Sequence, residues 1–158
     1  RLPYDCPLDV HCSYTRDQLL VALGFMSPRT LQEGVKYLKE KKTDVLLITL
    51  HKSDKDYSPT TLYQDYAISP RFFHWQSQST TNAESPTGQR YIHHRREGGN
   101  ILLFVREFRQ DVCGAVPYTF LGTAQYVSHQ GSRPMDILWR LEDEIPAKYL
   151  RKTMQVMG

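Results

Sequence analysis

The chain has 158 residues, of which 40% are hydrophobic and 23% charged, enough for one domain with a core of its own. No apolar run approaches the ~18 residues that would span a bilayer as a helix. The formal net charge of +3 suits a solvated surface as well as it suits a polyanionic partner.

Residues 1–13 read as an irregular lead-in, residues 14–150 as a single domain and residues 151–158 as a tail. The chain opens at Arg1 with no Met and is read as a piece of a longer protein. Its three Cys (Cys6, Cys12 and Cys113) show no paired spacing. An odd, unpaired set fits a reducing cytoplasm better than a disulfide framework. Cys6, His11 and Cys12 match no standard zinc spacing, so no metal site and no cofactor are expected.

A first helix is predicted from Thr15. Thr15 and Gln18 have capping-box spacing, and Gly24 offers a stop. Ser27-Pro28 starts a second short helix. Gly34 to Lys39 alternates as a strand would, although it also suits a helix. A hairpin is preferred, turning over Glu40 to Thr43 into a strand from Val45 to Leu50. Ser58-Pro59 starts a further helix over Thr60 to Tyr66. Phe72 to Ser79 is read as a strand. Ser85-Pro86 then leads a basic helix to about Arg96, which Gly98-Gly99 ends. The last third reads as strands over Ile101 to Phe108, Val116 to Leu121, Gln125 to His129 and Ile137 to Leu141. These elements predict an α+β fold, with an antiparallel or mixed curved sheet and short helices drawn mainly from the first two thirds.

The stretch from His74 to Thr81 is the most informative for function. Period two puts Trp75, Ser77 and Ser79 on one face, and His74, Gln76, Gln78 and Thr80 on the other. With Thr81, this is a run of hydrogen-bonding groups without a carboxylate. Gln can read a base edge and Ser or Thr can hold phosphate oxygens. The same residues fit an ordinary solvated strand equally well.

The helix after Pro86 is the second candidate. Arg90, Tyr91, His94 and Arg95 recur on adjoining faces, and the backbone amides near Thr87 and Gly88 would favour an anion. Packing of Tyr91 and Ile92 into a core is the competing reading. Ser58, Pro59 and Tyr63 form a third candidate, for which plain helix capping is the simpler account. Arg29 and Arg133 sit in turns from which each could reach a phosphate. No nucleophile elbow, P-loop or dinucleotide fingerprint is present. No catalytic residue is therefore assigned, and the chain is read as a binding module rather than an enzyme.

Several segments together carry a family resemblance. They are SPTTLYQDYAIS from Ser58, FHWQSQSTT from Phe73, SPTGQRYI from Ser85, ILLFVRE from Ile101 and YTFLGTAQYVSHQGSRPMDILWRL from Tyr118. They resemble a bacterial domain-of-unknown-function family that commonly follows a phospholipase-D-like nuclease and a superfamily-2 helicase in one chain. More loosely, the chain is similar to the sulfur-binding domains of modification-dependent restriction enzymes, which recognise phosphorothioate DNA. The resemblance implies a DNA-binding module of a restriction or defence protein. Its partners would be double-stranded DNA, phosphorothioate-modified duplex included, and the helicase and nuclease domains of the parent chain, with no membrane involved. A sulfur pocket could be built from Pro59, Tyr63 and Tyr66. The alternative is a protein-interaction or regulatory domain for the attached helicase or nuclease.

Overall fold

The computed structural model describes residues 2–31, 34–51 and 65–150. In chain order the elements are β1 (Ser13–Tyr14), α1 (Arg16–Ala22), β2 (Val35–Leu38), β3 (Thr43–Thr49), β4 (Tyr66–Ala67), β5 (Phe72–Gln76), α2 (Pro86–His93), β6 (Asn100–Arg106), β7 (Gln110–Asp111), β8 (Gly114–Ala115), β9 (Tyr118–Gln130) and β10 (Asp136–Leu141). Short 3-10 turns occupy Pro28–Thr30 and Lys39–Lys41. The main sheet is open and mixed, in the order β2-β3-β6-β9-β10-β5-β4, with β1 adding to β9. Strands β3 and β6 run parallel and the other neighbours antiparallel. The α+β expectation and the mixed sheet are both met.

The apolar runs of β3 and β6 are covered on both faces, as a continuous hydrophobic pattern demands. On one face, Val45, Leu47, Leu102, Phe104 and Phe120 pack against Leu19 and Leu20 of α1 and Leu23 just after it. Helix α1 starts as its sequence predicts: Gln18 N–H donates to Thr15 Oγ1, and the Gln18 side-chain oxygen accepts from Thr15 N–H. On the other face, Leu46, Ile48, Leu103, Val105, Phe73, Trp75, Ile137 and Trp139 close a larger core over Tyr91 of α2.

The structure corrects the boundaries of several expected elements. The helix after Ser27 is a single 3-10 turn. Strand β5 stops at Gln76 and not at Ser79, because the chain turns back there: Thr81 N–H donates to the Gln78 carbonyl. Tyr66 lies in a strand and Asp65 in a bend, neither at a helix end, and residues 60–64 of that expected helix fall outside the described residues. Helix α2 stops at His93. Two expected strands are one thirteen-residue strand, β9. Its alternation is broken by two register shifts, one against Leu103/Phe104 and one against Leu138/Trp139. Gly122, with φ +97°, sits at the first shift. Each bulge resets which side chains face the core, and period-two reading splits the strand just after the first of them. No described helix is long and apolar enough to cross a membrane.

Candidate nucleic-acid interface

The turn after β5 and the turn between β9 and β10 are laced together. Ser77 N–H donates to the Met135 carbonyl at 2.9 Å. Met135 N–H donates to Ser77 Oγ at 2.8 Å, and Arg133 N–H donates to the Thr81 carbonyl at 2.9 Å. Gln78 braces the turn from inside, where its Oε1 accepts from Tyr91 Oη at 3.0 Å and from Thr81 Oγ1 at 3.2 Å. Ser77 and Thr81 are buried and Gln78 is half-buried. These three therefore set the turn's shape. Ser79, Thr80 and Arg133 are the exposed members, joined by Gly131 and Ser132.

The result is one polar rim. Neither of its segments, residues 77–83 and 125–135, contains an Asp or Glu. Arg133 holds φ +54°, in the left-handed region that costs a side-chain-bearing residue about 1 kcal/mol. Its bond to Thr81 fixes it there. Next to the rim, His74 and Gln76 project from the outer face of β5, on the side away from Trp75. Both are anchored on Asp136: Gln76 Nε2 donates to Asp136 Oδ1 at 3.2 Å, and His74 Nε2 lies 3.5 Å from the same oxygen. His74 also stacks on Tyr66, with ring centroids 4.7 Å apart and planes at 15°.

The basic helix is a different matter. Arg90 is not presented to solvent as a phosphate donor. Its Nε and Nη2 both donate to Asp44 of β3, each at 2.8 Å, and its guanidinium lies 3.9 Å from the Tyr37 ring centroid. Tyr91 is fully buried, 5.4 Å from the Trp75 ring and 6.1 Å from the Trp139 ring. His94 is buried as well. Tyr126 N–H donates to its Nε2 at 3.2 Å, which places the proton on Nδ1, facing the Gly99 carbonyl at 3.3 Å. Nor is the start of α2 an open anion cradle, since Gly88 N–H donates to Ser85 Oγ and the Asn82 carbonyl lies against Gly88. These residues have inward roles because helical spacing places Tyr91 and His94 on one face, and that face meets the aromatic core.

Arg95 stays exposed beyond the end of α2. Arg29 is exposed on the turn against α1, over the β3–β6 half of the sheet rather than the rim's half. Ser58, Pro59 and Tyr63 lie outside the described residues. Sequence reasoning overlooked Arg71 and Arg140. Arg140 was legible as an outward position in the alternation Ile137 to Leu141, whereas Arg71 gave no signal beyond its place in a Ser-Pro-Arg turn.

Burial pushes the His94 imidazole below its usual pKa of 6.5, outweighing the Gly99 hydrogen bond. The folded chain holds His94 neutral, while the unfolded chain binds a proton below that value. Stability is therefore expected to fall as pH drops below 6.5 toward the lowered folded value. His94→Ala should cost about 2–4 kcal/mol, since it orphans the Tyr126 N–H and the Gly99 carbonyl. The variant's stability should also fall less steeply between neutral and mildly acidic pH. Denaturant titrations at several pH values check both outcomes.

Comparison with known proteins adds a family but no established activity. No curated protein matches the chain. Among solved structures, the DNA modification-dependent restriction endonuclease AspBHI is similar over 92% of this chain and 46% of its own, with 14% identity and a TM-score of 0.49. The present chain thus spans under half of that protein's length. The model of the family described as "Domain of unknown function (DUF3427)" matches residues 8–152, nearly the whole length, and the chain belongs to that family.

Proposed function

We propose that this domain binds double-stranded DNA through the rim formed by the turns at Ser79-Thr80 and Gly131-Ser132-Arg133, as a non-catalytic module of a restriction or defence protein. The observation that carries the reading is the composition and rigidity of that rim. Hydroxyls, amides and a guanidinium converge on two hydrogen-bonded turns whose segments hold no carboxylate. Such a surface offers donors to phosphate oxygens, and the adjoining Asp136 carboxylate already accepts from Gln76. Preorganised turns lose little entropy on binding. Gln76 and His74 lie beside the rim and would approach the groove edge. The family segments read from the sequence support a nuclease or helicase in the same parent chain as the working partner.

Phosphorothioate recognition is the sharper form of this proposal. Sulfur is larger, softer and less well hydrated than oxygen, so it favours an apolar or aromatic contact beside donors. The stacked Tyr66–His74 pair, next to Gln76, supplies such a contact. Fluorescence anisotropy with matched plain and phosphorothioate duplexes tests both levels. Binding to both, tighter for the sulfur-bearing duplex, is the expected result. Equal affinities would remove the sulfur preference and keep DNA binding. No binding to either duplex at low salt would remove the function itself.

A further inference from the structure

A cleft of about 720 Å³ opens where β6 begins and β10 ends. It is lined by Arg71, Arg95 and Arg140, with Asn100, Thr123 and Glu142 among the polar remainder. Three Arg and one Glu are among the lining residues. The Glu carboxylate is already engaged, because Thr123 Oγ1 donates to Glu142 Oε2 at 2.7 Å. Arg71 Nη1 donates to the main-chain carbonyls of Leu141 and Glu142, which fixes its guanidinium at the cleft wall. Arg140 lies four residues along β10 from Asp136 at the rim, a separation of about 13 Å at the rise of a β-strand. The cleft therefore lies away from the rim's exposed turns and meets the rim's segments only at Gln125.

We propose that this cleft is an anion site taking the phosphate of a nucleotide unit, carried either by a free nucleotide or by a nucleic-acid strand. Guanidinium forks match phosphate geometry with paired charge-assisted hydrogen bonds. The volume falls within the range of roughly 300–1,000 Å³ usual for small-molecule sites, which exceeds what a bare phosphate fills and admits a base and sugar. Thr123 Oγ1 and Asn100 Oδ1 remain able to accept hydrogen bonds from those parts.

Isothermal titration calorimetry of the domain with adenosine monophosphate and with a terminally phosphorylated tetrathymidylate tests the site. The Arg95→Gln/Arg140→Gln double variant is the comparison. Both side chains are exposed, so the variant is expected to fold like the parent. Saturable binding of at least one probe is expected, weakened at least about tenfold in the double variant. The probe that binds more tightly identifies the source of the phosphate. No saturable binding of either probe, or undiminished binding by the double variant, overturns the proposal and leaves the rim reading untouched.

Discussion

Replacing Arg90 with Met is expected to destabilise the domain by about 3–5 kcal/mol, the usual consequence of stripping one partner from a buried ion pair. Asp44 is 1% exposed and sits on β3 between β2 and β6. Both of its oxygens accept from Arg90, so without the guanidinium a charge is left inside the sheet's larger core. Burial already pushes the Asp44 carboxyl above its usual value of 3.8, and the Arg90 hydrogen bonds offset part of that. In the Met variant the offset disappears and the folded pKa rises further. An acid with a raised folded pKa holds its proton in the folded state longer than in the unfolded state. The stability of the variant should therefore decline as pH rises from 3.8 through the raised folded value, and the loss should be greatest at neutral pH. Adding Asp44→Leu should recover most of the loss, because two apolar side chains carry no desolvation cost. Chemical denaturation of the single and double variants at acidic and neutral pH measures all of this. A single variant as stable as the parent would mean that the pair is peripheral.

Gly88→Ala should have the other large effect. A Cβ at this position would lie 1.9 Å from the Asn82 carbonyl oxygen and 2.9 Å from its carbon. Both are backbone atoms, so no side chain can swing away. Either α2 or the turn from Thr81 to Ser85 must shift. That turn holds the Ser85 cap of α2 through bonds to Asn82, and Thr81 holds Arg133. A cost of about 3 kcal/mol or more is expected, at the upper end for overpacking. Loss of duplex affinity should accompany it, because the rim is built on the displaced segment. Alanine normally strengthens a helix relative to glycine, so a stabilised variant would show that the contact relaxes freely.

Both predictions concern residues whose roles the sequence disguised. Arg90 looked like part of a basic patch because charge is visible in a sequence while its partner is not. Asp44 lies 46 residues away on another strand. For Tyr91 the competing reading, packing into a core, is the one the structure adopts, and His94 follows it three residues on along the same face. Where local signals decide the outcome, the reading was close. The capping box at Thr15 and Gln18, the hairpin of β2 and β3, and the buried runs of β3 and β6 formed as expected. Strand β9 misled because a bulge moves side chains between faces without leaving a distinct residue signature beyond Gly122. The polar stretch from His74 to Thr81 does not keep the period-two geometry of a strand beyond Gln76. Only Ser79 and Thr80 reach the exposed rim; Ser77, Gln78 and Thr81 build it. Pairing with Arg133 across 52 residues is a tertiary event that spacing alone does not encode.

The most direct test of DNA binding at the rim is the salt dependence of duplex affinity for the parent and for Arg133→Gly. Arg133 occupies the left-handed region, where glycine sits without strain, so the variant should keep its stability within about 1 kcal/mol. Any change in binding then reports the lost guanidinium rather than a lost fold. The parent's affinity should fall linearly on a logarithmic salt scale. The variant should bind more weakly, with a slope smaller by about one unit. Coincident lines for a fully folded variant, or no duplex binding by the parent at low salt, would contradict the account.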